Sequence, residues 1–191
     1  MLKKPSLVHV VAVPYSGDPS LNLPGIKAAG ELVSRHRAEI KQARRDAMGD
    51  VELADLRAKH KAEMDAAQAG INADRELLDA AKEMGDYSKI VDAGAKPTWF
   101  HLRVIPGTAM REMYAAMQSG ATSVFKEPAI AFRCAIVKIE NLDGVTIEFV
   151  NDPNYGKIAS EAIVDALDLI DPSIVTELGY YAIGRASPKA G

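Results

Sequence analysis

Between Lys96 and Ile105 apolar and polar positions alternate with a period of two. Trp99, His101, Arg103 and Ile105 share one face and Phe100, Leu102 and Val104 the other, which predicts a strand. Pro106 and Gly107 end it, because proline lacks the ladder donor and glycine accepts turn dihedrals. The period then changes to three and four through Met110, Met113, Tyr114 and Met117, predicting a helix capped by Thr108. Glu127 and Pro128 open a second predicted helix, running through Ile130, Ala131, Cys134 and Val137 to a turn at Asn141–Gly144. This strand–helix–helix block, Lys96 to Gly144, is where a core can nucleate.

Upstream, Leu7–Val13 is a short apolar run rich in β-formers that Pro14 stops, and Tyr15–Gly25 (YSGDPSLNLPG) has the composition of a loop. Two lysines precede the apolar run, but it is short, contains His9 and lacks a small-x-small cleavage pattern, so it reads as a strand and not a signal peptide. From Ile26 to Met84 there is neither proline nor any aromatic residue, and Ala, Glu, Asp, Lys and Arg dominate, which predicts helix. Ile26, Ala29, Val33, His36, Ile40, Ala43 and Ala47 recur at alternating steps of three and four, a heptad-like stripe. It fails at Asp50, and a new stripe follows: Leu53, Leu56, His60, Met64, Ala67, Ile71. Gly49 as a stop and Asp50 as an N-cap favour two antiparallel helices; the alternative is one long helix with a local register shift. Gly70 and Asn72 are expected to split off a short third helix, Ala73–Met84. The expected seam of this hairpin, Ile26, Val33, Ile40, Leu53 and Leu56, is thin, so the hairpin needs the rest of the chain or a partner.

Gly85–Lys96 reads as a linker. After the central block, Val145–Val150 (VTIEFV) alternates as a strand and Asn151–Gly156 as a loop. Lys157–Ile170 reads as an amphipathic helix with Ile158, Ala162, Ile163, Ala166, Leu167 and Ile170 on one face. Asp171 and Pro172 start a last helix that packs Ile174, Val175, Leu178, Tyr181 and Ala182 inward, and Ser187–Gly191 is a frayed tail. The fold class is α+β, mostly helical: a small β-sheet with packed helices and a long, coiled-coil-like helical hairpin arm. Domain boundaries follow at 1–25 (strand and loop joining the core), 26–84 (arm) and 85–191 (core).

Composition narrows the function. The 191 residues are 48% hydrophobic and 26% charged with a net charge of −3, which disfavours a general nucleic-acid surface. No apolar run approaches the roughly 20 residues needed to span a bilayer. A lone cysteine, Cys134, excludes an internal disulfide and a cysteine-based zinc cluster. The four histidines lie far apart without a ligand-pair spacing, and His36 and His60 read as seam residues. His101 with Trp99 and Arg103 reads as a cation–aromatic cluster before a catalytic one. Cys134 reads as a buried, inert thiol. The acidic residues Glu140, Asp143, Asp152, Glu161, Asp165 and Asp168 lack calcium-loop spacing. No catalytic, cofactor-binding or metal-ligating set is expected, and the chain is not expected to be an enzyme; His101, Arg103 and Glu140 are the candidates should it be one.

Three stretches carry a resemblance: DYSKIVDAGAKPTWFHLRVI from Asp86, FRCAIVKIENLDG from Phe132, and EAIVDALDLIDPSIVTELGYYAI from Glu161. Together they resemble small proteins encoded among the virion genes of tailed bacteriophages, described as tail-assembly-chaperone-like or minor structural proteins. The matching features are the P-T-x-F-x-L-R strand, the helix ending in ENLDG, and the D-x-x-D-P-x-x-x-x-E-L-G segment. Pro14–Leu21 (PYSGDPSL) corresponds to an early Val-Pro-x-x-Asp-Pro-Ala-Leu-like stretch. About half of the chain is covered, and the helical stretch Ile26–Met84 departs from the pattern as an added interaction arm. The resemblance implies assembly of virion or tail proteins through protein–protein contacts, with other phage proteins or copies of itself as partners, in the virion or the host cytoplasm. It implies neither a nucleic acid nor a membrane as partner. A regulator binding a host protein is the second expectation. The arm seam and a docking patch at Trp99, His101 and Arg103 are the residues expected to carry such contacts.

Overall fold

The structure, a computed structural model, describes residues 10–119 and 127–186. It is α+β with helix predominating. In order the elements are β1 (Val11–Val13), α1 (Pro24–Arg45), α2 (Asp50–Met84), β2 (Trp99–Leu102), α3 (Gly107–Gln118), α4 (Glu127–Ala135), β3 (Ile136–Glu140), β4 (Phe149–Asp152), β5 (Gly156–Ala159), α5 (Ala162–Ile170) and α6 (Ser173–Ala186). Two compact units result: Ser16–Ala95, and Met1–Tyr15 with Lys96–Gly191. Residues 7–9 of the expected first strand, the Met117 side chain and the 187–191 tail lie outside the described residues.

In the Ser16–Ala95 unit the break near Gly49 separates two antiparallel helices. The stop is not glycine, however. Ala47 takes the left-handed conformation (φ 54°), and Met48 N–H donates to Ala43 O at 3.0 Å. Gly49 instead caps α2, its N–H donating to Glu52 Oε2 at 3.0 Å, so Asp50 lies inside the helix. α1 begins at Pro24, where proline's missing donor is one of the helix's orphans anyway. Leu23 offers no capping side chain, so a residue of α2 substitutes: Ile26 N–H donates to Asp74 Oδ2 at 3.0 Å. The third helix expected from Ala73 is not separate, since α2 continues unbroken to Met84. Gly70 is a contact point and not a break: a Cβ added at Gly25 would lie 2.5 Å from the Gly70 carbonyl. The supposed linker after Gly85 closes the unit. Asn22 N–H donates to Ile90 O at 2.6 Å and Asp92 N–H to Ser20 O at 3.0 Å, with Leu21, Leu23, Tyr87 and Ile90 buried. The residues on either side of the hairpin thus belong with it, where the sequence boundaries at 25 and 84 parted them.

In the other unit β1, β2 and β3 form an antiparallel sheet in that order. Phe100 and Leu102 are buried as their alternation predicts, but the strand stops at Leu102, beyond which Ile105 turns inward and Val104 is exposed. The largest departure lies at Ile136–Glu140. Read from sequence as the end of a helix, it is β3, paired with β2 in the register Trp99↔Glu140 and His101↔Lys138. Its β-branched Ile136, Val137 and Ile139 suit a pleated surface, and the neighbouring strand decides the matter. The strand expected at Val145–Val150 sits later, at Phe149–Asp152, and the start of the expected helix at Lys157 is β5. Asp152 Oδ1 accepts from Asn154 N–H and Tyr155 N–H (2.8 and 3.1 Å) and Gly156 has φ 75°, which folds this stretch into a hairpin. α6 starts as expected, with Ser173 N–H donating to Asp171 Oδ1 at 2.8 Å. It crosses α4 so closely that Gly179 rests on the Pro128 carbonyl with no room for a Cβ. Phe132 of α4 meets Phe100 edge-on, centroids 6.5 Å apart, in a core with Leu102, Ile136 and Leu178.

Candidate functional site

The seam of the α1–α2 hairpin differs from the apolar stripe expected. Ile26, Val33, Ile40, Leu53 and Leu56 are each only half-buried. The buried positions at its middle are His36 and His60, whose rings stack with centroids 3.8 Å apart and planes 9° from parallel. Each imidazole reaches the opposite helix: His36 Nε2 lies 2.8 Å from Glu63 Oε2, and His60 Nε2 2.7 Å from Glu39 Oε2. An ionised carboxylate only accepts, so Nε2 is the donor in both bonds. Arg35 pairs with Glu63 and lies 3.6 Å from Glu39, and Lys59 lies 3.9 Å from Glu63. The hydrogen bond from His60 holds the Glu39 carboxyl below the usual carboxylate range, and the bond from His36 does the same for Glu63.

A sequence signal for this layer exists. Arg35-His36-Arg37-Ala38-Glu39 and Lys59-His60-Lys61-Ala62-Glu63 are two copies of one basic–His–basic–Ala–Glu pattern. Placed on antiparallel helices, the copies bring each His beside the other and within reach of the other's Glu. Read singly, the histidines look like isolated seam residues; read as a repeat, they predict the pair. Chemically the arrangement is a polar layer that fixes which residues of α1 face which of α2, since sliding one helix would break both His–Glu hydrogen bonds and leave two buried imidazoles without those acceptors. It does not gather a metal set: among the described residues no group of three or more His, Cys, Asp or Glu side chains is placed to hold an ion.

Beside this layer a groove of about 580 Å³ runs along α1. Its lining combines the apolar Val33 and Ile40 with His36 and the cations Arg37, Lys41, Arg44 and Arg45. Other large apolar side chains of α2 are open to solvent, Val51 at 75%, Met84 at 66% and Leu77 at 51%.

The expected docking patch on β2 is dispersed. Trp99 and His101 are half-buried, and His101 Nε2 lies 3.3 Å from Glu140 Oε1 without hydrogen-bond alignment. Lys138 also pairs with Glu140 and, with His101, keeps that carboxyl below its usual range. Arg103, half-buried, is engaged by backbone carbonyls. Its Nε donates to Cys134 O at 2.9 Å and its Nη2 to Lys157 O at 2.8 Å, tying β2, α4 and β5 together. The trio His101, Arg103 and Glu140 therefore does not converge, because the guanidinium is committed to backbone carbonyls. Cys134 is fully buried, and burial pushes its thiol up to about 11, the opposite of an activated nucleophile. Among the described residues no helix is long and apolar enough to cross a membrane. No protein-family model, no curated protein and no solved structure matches this chain.

Proposed function

We propose that this chain is a bacteriophage virion-assembly or virion-associated structural protein that works through protein–protein contacts in tail or head morphogenesis. The observation that supports this reading best is the incomplete burial of the α1–α2 hairpin. Val33 and Ile40 line an open site on α1 together with Arg37, Lys41, Arg44 and Arg45, and Val51, Leu77 and Met84 of α2 stand in solvent. Exposed apolar side chains along one hairpin are sites a partner can cover, and the neighbouring cations suit a partner segment with acidic residues beside apolar ones. The sequence resemblance of the second unit to small tail proteins points the same way, and the committed Arg103 and inert Cys134 add no rival chemistry.

The test is the molar mass of the full chain by light scattering, alone and with Ile40→Asp. The expected outcome is a defined oligomer that the substitution dissociates while circular dichroism stays helical. A chain that is monomeric in both forms shifts the reading to the alternative, a phage-encoded regulator whose hairpin binds a host protein.

A further inference from the structure

The two-stranded β4–β5 sheet treats its two outer edges differently. In an antiparallel pair, successive residues point their N–H and C=O alternately toward the partner and away. Ser160 N–H donates to Glu148 O at 2.7 Å, and Val150 opposes Ile158 in the same alternation, so Phe149 and Asn151 of β4 face outward, as do Lys157 and Ala159 of β5. The outward carbonyls of β5 are both taken by arginines: Arg103 Nη2 donates to Lys157 O, and Arg133 Nε to Ala159 O, each at 2.8 Å. The outward groups of Phe149 and Asn151 have no such partner among the described residues. Phe149 and Val150 point to opposite faces, yet they are 39% and 42% exposed, so neither face of β4 is covered. One edge is blocked and the other is open.

We propose that the open side of β4 is a dimerisation edge, residues 146–152 pairing antiparallel with the same stretch of a second copy of this chain about a two-fold axis at Phe149, which sets Asn151 opposite Ile147. The product is a continuous four-stranded sheet in the order β5, β4, β4, β5. Closure argues for a second copy as the occupant. Pairing uses up both open edges, and the outermost strands of the new sheet are the arginine-capped β5 strands, so growth stops at two. Charge sets the register. An axis at Phe149 places Glu148 opposite Val150, whereas an axis at Val150 would set Glu148 against Asp152, like charges directly across. At Phe149 the two rings meet as a cross-strand aromatic pair, each with Lys157 Nζ 5.4 Å from its own ring centroid. The pairing shares with the assembly reading the premise that copies of the chain meet, but it uses β4 and not the hairpin, so the two fail separately.

The experiment is sedimentation equilibrium of the full chain, wild type against Asn151→Pro and Phe149→Lys, with circular dichroism as the folding control. Proline at 151 removes an N–H that points away from β5, and lysine at 149 puts two cations across the axis. The expected result is a wild-type dimer whose dissociation constant rises at least about tenfold in each variant, the size of effect one cross-strand pair and its bonds produce. Hydrogen exchange at the Phe149 and Asn151 amides should quicken on dilution while the Val150 amide, bonded to β5, does not. A wild-type chain that stays monomeric at its solubility limit overturns the proposal. So does a dimer that both folded variants leave intact, or one that only Ile40→Asp dissociates, which would assign the contact to the hairpin. Should Asn151→Pro fail to fold, Phe149→Lys and the exchange pattern still decide.

Discussion

Asp74 shows how one buried carboxylate can serve an element far away in sequence. It sits on α2 but caps α1, accepting from Ile26 N–H where Leu23 cannot. Removing a capping acceptor costs on the order of 1 kcal/mol, so Asp74→Ala should lower stability to denaturant by about that amount, with Asp74→Asn costing less because its amide oxygen still accepts. Gly179 makes a sharper case. A methyl group there would run into the Pro128 backbone, which cannot move as a flexible side chain can. Gly179→Ala should cost about 2 kcal/mol or more by overpacking, whereas Gly184→Ala, with nothing within 4 Å, should gain up to about 1 kcal/mol of helix propensity. Chemical denaturation of the two variants side by side checks the contrast. From sequence Gly49 and Gly70 read only as helix breaks, and Gly179 lay unremarked inside the last helix; which backbone Gly70 and Gly179 touch is set by the packing partner.

The hairpin carries its own pH dependence. Glu39 and Glu63 are held below their ordinary value of 4.5 by the histidines of the opposite helix. A carboxylate depressed in the folded state stabilises fully above its unfolded value and loses that contribution as pH falls through the folded one. The helical melting temperature should therefore decline as pH drops below about 4.5, and the double substitution Glu39→Gln with Glu63→Gln should flatten that decline. Thermal melts followed by circular dichroism across that range supply the check. The helices themselves were legible, because composition and the three-four spacing repeat over many turns. Ile136–Glu140 was not. Ile130, Ala131 and Cys134 form a helical stripe in α4 that Val137 continues in sequence, yet Val137 lies in β3, where β2 runs alongside. Lys157–Ala159 failed for a related reason: a short apolar run fits either period, and the turn at Asp152–Gly156 decided it.

For the whole molecule, the division into two units makes a prediction of its own. Gly25→Val should force α1 from Gly70 and speed amide exchange in 16–95, while the β2–β3 amides keep their wild-type rates. Uniform loss of protection would mean that the units unfold as one. The α+β class, the helical character of 26–84, the last helix after Asp171-Pro172 and the buried Cys134 all follow from the sequence alone, because each rests on local periodicity, capping chemistry or composition. The histidine pair was written there too, in the repeated Arg-His-Arg-Ala-Glu and Lys-His-Lys-Ala-Glu, but it has meaning only when antiparallel helices lay one copy on the other. Tertiary structure alone decided that Arg103 is a staple and not a docking residue, that Ile136–Glu140 is the third strand, and that β5 is capped while β4 is open. These depend on which carbonyl or strand lies alongside, and residues such as Arg103 and Lys157 are brought together across a long stretch of chain that no local pattern reports.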